Sequence, residues 1–290
     1  MKNLIFGIAA FILFFAANSS LSAQEKSSQP VEYTYVMQSE DKSITAKMVN
    51  DELDGTGVKV HFFDRAGKLI GRWEISNTSS DSWGLSPKGN YFMCRVVRRS
   101  EPGVAGNSEV VVIDKTGKEL FLYGMGEIGR WSPNEDYFVV RDYAVRAYDL
   151  KGKVLWERKK SPGASEISLG AISNNGRYIV LADSPKTIVL LDQSGKELYT
   201  KDFEIIPGKL KFTNIWGIAV DNNGNVLLRP GAASEIRVVD NAGNIKLARQ
   251  FEGYKKFDVS FSTSSPAAIE IINREDKGQK TLIEWDSKKR

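Results

Sequence analysis

The chain of 290 residues has one cysteine, Cys94, and one histidine, His61. A lone cysteine cannot close an internal disulfide, so the fold must be held by its core. Cys94 itself sits in the apolar run Tyr91 to Val97 and reads as a buried small hydrophobe. A lone histidine excludes a histidine-rich metal site, and any Ser-His-Asp triad would have to be built on His61. Net charge is low, +4 in total, which argues against a dedicated nucleic-acid partner.

Long apolar runs are also scarce. One stretch qualifies, Leu4 to Ala17, preceded by Lys2 and followed by Leu21-Ser22-Ala23. It is short for a membrane span, and its positive start and small-residue end make residues 1–23 a secretory signal peptide. No cysteine follows that site, so the expected location is periplasmic or secreted, without a lipid anchor and without a transmembrane segment after cleavage. Removing 23 residues from 290 leaves 267, with a net charge of +3 because Lys2 goes with the signal. Residues 24–30 form a polar N-terminal tail, and 31–290 read as one domain with no linker-like break.

Repetition is what the sequence has in abundance. Asp149-Leu150-Lys151-Gly152-Lys153-Val154-Leu155-Trp156 has relatives beginning at Asp64, Asp114, Asp192 and Asp240, and Asp286 ends a similar strand. Before each aspartate stand four residues such as Val110-Val111-Val112-Ile113 or Ile188-Val189-Leu190-Leu191. The first is β-branched and the last two are apolar, which suits strands buried on both faces. Aspartate, two fillers and glycine make a hairpin signal, because Asp bonds nearby backbone and Gly takes a positive φ readily. A second marker, Ser39, Ser86, Ser132, Ser173, Asp221 and Ser262, opens another turn at intervals of 47, 46, 41, 48 and 41 residues. Each unit therefore reads strand, Ser-turn, strand, loop, strand, Asp-Gly turn, strand. Four short strands per unit of this length predict an all-β, six-bladed β-propeller of four-stranded antiparallel blades. The last unit leaves no room for a fourth strand, so a segment within Ser27 to Met37 is expected to close the ring.

At these repeats the chain resembles bacterial exported β-propellers. Asp149 to Trp156 looks like the hairpin of PQQ-like repeats. Trp131-Ser132-Pro133-Asn134-Glu135-Asp136-Tyr137-Phe138 looks like the inner turn of TolB-type and WD40-like blades. The resemblance is at the level of repeats and implies a scaffold or ligand binder in the cell envelope. PQQ-type dehydrogenases are expected to have eight blades and a quinone site; six units and no neighbouring cysteine pair imply no cofactor here.

Two residues before each second marker stand Met37, Gly84, Arg130, Ala171, Ala219 and Ser260. Four of these are small, as expected where inner strands converge, and Arg130 is the exception. With Trp83 and Trp216 on inner strands, Arg130 is a candidate ligand-binding site for an anionic or sugar-like molecule at one channel mouth. The competing reading packs both tryptophans between blades. Asp221-Asn222-Asn223-Gly224-Asn225 resembles a calcium loop in composition but lacks its full pattern, and reads as a turn. Basic residues at Arg95, Arg98 and Arg99, at Lys159 and Lys160, and at Lys288 to Arg290 read as solvated surface, with an acidic partner as the alternative. The loop Ser100 to Ser108 is a candidate contact loop. The expected function is a monomeric, non-enzymatic scaffold or ligand-binding module whose partner is an envelope protein or small ligand. The alternative is an envelope hydrolase or lyase using channel carboxylates, with or without a divalent metal.

Overall fold

A computed structural model describes residues 33–51, 57–76, 78–98, 108–124, 126–141, 143–162, 164, 167–184, 186–203, 215–230, 235–250, 257–265, 267–273 and 280–285. The expected signal peptide and tail lie outside them. No helix occurs among the described residues, and so none is long and apolar enough to cross a membrane.

The strands fall into six antiparallel sheets, each built from consecutive strands. Blade one holds β1 (Tyr35–Gln38), β2 (Ile44–Asp51), β3 (Gly57–Asp64) and β4 (Leu69–Ile75). Blade two holds β5 (Thr78–Leu85), β6 (Tyr91–Arg98), β7 (Ser108–Asp114) and β8 (Glu119–Gly124). Blade three holds β9 (Glu127–Trp131), β10 (Tyr137–Arg141), β11 (Ala144–Asp149) and β12 (Val154–Lys159). Blade four holds β13 (Ser168–Ile172), β14 (Tyr178–Ser184), β15 (Thr187–Asp192) and β16 (Glu197–Asp202). Blade five holds β17 (Ile215–Val220), β18 (Val226–Pro230), β19 (Glu235–Val239) and β20 (Ile245–Gln250). Blade six has β21 (Phe257–Phe261), β22 (Ala268–Asn273) and β23 (Lys280–Glu284). The architecture is the six-bladed propeller that the repeat predicts. Of the segment Ser27 to Met37, residues Tyr35 to Met37 belong to β1 and pair with β2 of the first blade; residues 27–32 lie outside the described residues.

First strands are the inner ones: β5 touches β1 and β9, and β13 touches β9 and β17. Five apolar clusters lie one at each junction from blades one and two to blades five and six. Period-two alternation feeds two junctions from one strand. Ile179 and Leu181 of β14 pack towards blade three, whereas Val180 packs towards blade five. That double duty explains why third strands such as β7 and β15 are almost wholly buried.

Both repeated turns follow from hydrogen bonding. At Asp192 the carboxylate accepts the backbone N–H groups of Ser194 and Lys196 at 2.9 and 3.1 Å. The Gly195 N–H donates to the Asp192 carbonyl, closing a tight turn with Gly195 at φ +83°. Asp114, Asp149 and Asp240 do the same. In the Ser-turns the buried Ser39, Ser86, Ser132 and Ser173 hydroxyls accept the N–H five residues on, at 2.9–3.2 Å.

Three of the five copies of the eight-residue repeat end in an aromatic, Phe121, Trp156 and Tyr199, for a packing reason. The Asp-turn glycines of blades two to five seat against the previous blade's outer strand. A Cβ on Gly195 would lie 2.4 Å from Trp156, and one on Gly117 only 1.9 Å from the Arg72 carbonyl oxygen. Gly152 and Gly243 likewise sit over Phe121 and Tyr199.

Candidate functional site

The two ends of the blades differ. Ser-turns and Asp-turns share one end, the turn face, and hydrogen-bond to one another there. Lys115 N–H donates to the Asn90 carbonyl, and the Asn241 amide to the Asn223 carbonyl. Consecutive blades are also linked on this face. Glu40 N–H donates to the Pro87 carbonyl, the Tyr137 hydroxyl to the Gly176 carbonyl, and Asn175 N–H to the Asn222 side chain. Every turn-face connection between described strands holds four to six residues, as between Leu85 and Tyr91 or Asp192 and Glu197.

At the opposite end, the loop face, connections run from two residues, between Arg141 and Ala144, to twelve, between Asp202 and Ile215. Arg141 and Glu127 form an ion pair at the strand ends there, and Arg95 pairs with Asp81 at 2.9 Å further along, at the bulge in mid-β5. Asp183 is fully buried and accepts bonds from the Ser161 N–H and hydroxyl, tying the connection between blades three and four to β14. Tyr143, at the tip between β10 and β11, is 83% exposed.

Arg130 lies on inner strand β9, exposed and with no partner among the described residues. Of the small residues at the equivalent positions, Ala171 is buried, Gly84 and Ala219 are half-buried and Ser260 is exposed. Trp83 is half-buried against the core of blades one and two, its ring 4.2 Å from that of Tyr35 on β1. Trp216 opens β17 at a bulge, opposite neither Pro230 nor Arg229, and its side chain lies outside the described residues. Trp216 stands five residues before its marker and Arg130 two, a difference of about 10 Å along a strand. Arg130 is therefore nearer the turn face and Trp216 nearer the loop face.

Other candidates resolve simply. His61 is half-buried on β3, with its Nε2 3.7 Å from Glu74. Burial pushes the Cys94 thiol far up, with the Glu119 carboxylate adding to the shift, so it is not a nucleophile. The Asp221 carboxylate is occupied by its own turn, accepting the Asn223 and Asn225 N–H groups and the Asn225 amide. Among the described residues no three His, Cys, Asp or Glu side chains gather as a metal site. Of the basic clusters, Arg95 is ion-paired and Lys159 is exposed beside Glu157. The Arg98 side chain, Arg99 and Lys288 to Arg290 lie outside the described residues, as does 100–107 of the candidate contact loop.

Two features escaped sequence reasoning. Glu135 takes φ +63° where the equivalent turns carry Gly89, Gly176 and Gly224. It is 4% exposed, and its carboxylate accepts the Lys88 N–H at 2.6 Å and the Asn90 amide at 2.7 Å, both from blade two. A non-glycine at the glycine position was the available signal. The second feature is a cavity of 230 Å³ between blades five and six, lined by Gly217, Ile218, Ala219, Leu227, Arg229, Asp258 and Val259. No local motif marks it, because its walls come from three strands.

Against known proteins, no family model matches the chain, and no curated protein matches it.

Proposed function

We propose that this chain is an exported β-propeller that acts as a protein-interaction scaffold in the cell envelope, engaging its partner through the loop face. The difference between the two faces carries this reading. On the turn face the carboxylates and hydroxyls of the markers are occupied by their own backbone, and connection length hardly varies. On the loop face connection length varies widely and an aromatic tip stands exposed, the pattern of recognition loops carried on a rigid framework. The ion pairs Arg95–Asp81 and Arg141–Glu127 fit a scaffold rather than carboxylates held ready for acid–base work. The signal-like segment 1–23 and the resemblance to exported propellers supply the envelope setting.

A photo-crosslinking amino acid placed at Tyr143 on the loop face, and separately at Gln193 on the turn face, tests this in the native envelope. The expected result is one discrete adduct from position 143 and none from 193. Adducts from 193 alone, or from neither, would overturn the reading.

A further inference from the structure

The turn face carries its charges unevenly. In the Asp-turns of blades one to four the residue after the glycine is a lysine: Lys68, Lys118, Lys153 and Lys196. Two backbone hydrogen bonds fix each one. Its carbonyl accepts the aspartate N–H, and its own N–H donates to the aspartate carboxylate. All four are exposed, as are Lys42 and Lys151 on the same face, and none of the six is ion-paired with a described residue. The acids beside them are engaged. The turn aspartates hold their own backbone, Glu119 accepts the Trp73 indole N–H, and Glu197 pairs with Arg158. Lys118 and Lys196 act on Asp114 and Asp192 less than any of the turn's hydrogen bonds do. Blade five breaks the series. Its turn reads Asp240-Asn241-Ala242-Gly243-Asn244, and Lys246 beyond it is paired with Asp240 at 3.1 Å.

From this we infer that the turn face of blades one to four docks on an anionic phospholipid surface. One lysine per blade cannot converge on a single small anion, so a free phosphate or carboxylate is a poor match. Turns of one length and one hydrogen-bond pattern present the charges from a common level, which suits a flat layer of headgroups. Lysine suits it too, as a hydrated point charge on a flexible stem that needs no fixed geometry in its partner. Each lysine near such a surface adds attraction, and salt screens it within a Debye length. The low net charge of the chain is no obstacle, because the attraction depends on the face that approaches. Docking this way turns the loop face outward, and it shares only the envelope setting with the scaffold reading.

The test sediments the mature chain with phosphatidylcholine vesicles, with or without about one third phosphatidylglycerol. Binding is expected to the anionic vesicles alone, and about tenfold weaker when salt rises from about 20 to about 300 mM. The triple variant Lys118→Gln, Lys153→Gln, Lys196→Gln should bind about tenfold more weakly than the unaltered chain. A loop-face triple with the same net charge, Lys159→Gln, Lys160→Gln, Lys186→Gln, should bind as the unaltered chain does. Should a variant fail to fold, spin-labelled phosphatidylglycerol on the unaltered chain gives the answer, broadening amide signals at 115–118, 150–153 and 193–196 but not at 141–144. No binding, equal binding to both vesicles, equal loss in the two triples, or capture by soluble polyphosphate alone would overturn the inference. A lipid adduct at position 193 adds no protein mass, so the loop-face crosslink is read independently and either reading can fail alone.

Discussion

Glu135 combines an unfavourable backbone with a favourable contact. A non-glycine residue at φ +63° carries about 1–2 kcal/mol of steric penalty. Two charge-assisted hydrogen bonds to blade two, from the Lys88 N–H and the Asn90 amide, outweigh it. Glu135→Gly would relieve the backbone but remove the clamp and leave the Lys88 N–H without its acceptor. A net loss of about 1–2 kcal/mol is expected in urea denaturation. A stabilised variant would show that the clamp contributes nothing. Cys94 makes a second residue-scale prediction. Fully buried, with its thiol pushed up by burial, it should react with a thiol reagent only as fast as the protein unfolds. Rapid labelling under native conditions would contradict its placement in the core.

At the scale of the element, the Asp-turn glycines separate two effects that usually travel together. Gly67 and Gly117 both hold φ near +80 to +90°, but a Cβ on Gly67 meets nothing within 4 Å and one on Gly117 strikes the Arg72 carbonyl. Gly67→Ala should therefore cost about 1 kcal/mol from the backbone alone, and Gly117→Ala about 2–4 kcal/mol. Equal losses would mean that the turns of blade two do not seat on blade one. The turn aspartates also set acid sensitivity. At Asp114 and Asp192 partial burial pushes the carboxyl up, but the hydroxyl and N–H groups of the turn more than offset it and hold each below the usual 3.8. Asp41 is held at about 2, by the Ser43 N–H first and then the Ser39 hydroxyl. Since folding favours the charged form, this stability is complete above about pH 4 and lost as pH falls through the folded values. A double variant, Asp114→Asn with Asp192→Asn, should lose less melting temperature between pH 4 and pH 2 than the unaltered chain. Parallel curves would remove these groups from the account. The turn chemistry was legible in the sequence, because Asp, Gly and Ser act on backbone only a few residues away. The aromatics Phe121, Trp156 and Tyr199 that end three of the repeats were visible too. Their reason was not, since the glycine each supports belongs to the next blade.

For the whole molecule, the last blade has three described strands and its outer strand β23 has one described partner, β22. The repeat pattern assigns closure to a segment within Ser27 to Met37, of which Tyr35 to Met37 already pair inside blade one. If residues 27–32 complete the sixth blade, a mature chain starting at residue 33 should melt well below the full mature chain, because an exposed strand edge and an incomplete junction remain. An unchanged melting temperature would remove that role from the segment.

The sequence by itself determined the strand content, both turn types, the number of blades and the absence of disulfides. Each of these rests on interactions within a few residues or on a period that repeats along the chain. Tertiary structure decided what depends on two or more blades at once. It turned Glu135 into an inter-blade clamp and packed Trp83 against Tyr35. It set Arg130 and Trp216 towards opposite ends of the inner strands and opened a charged cavity between blades five and six. Such contacts join residues some 30 to 50 positions apart, such as Lys88 with Glu135, and no local pattern encodes which side chains a junction brings face to face.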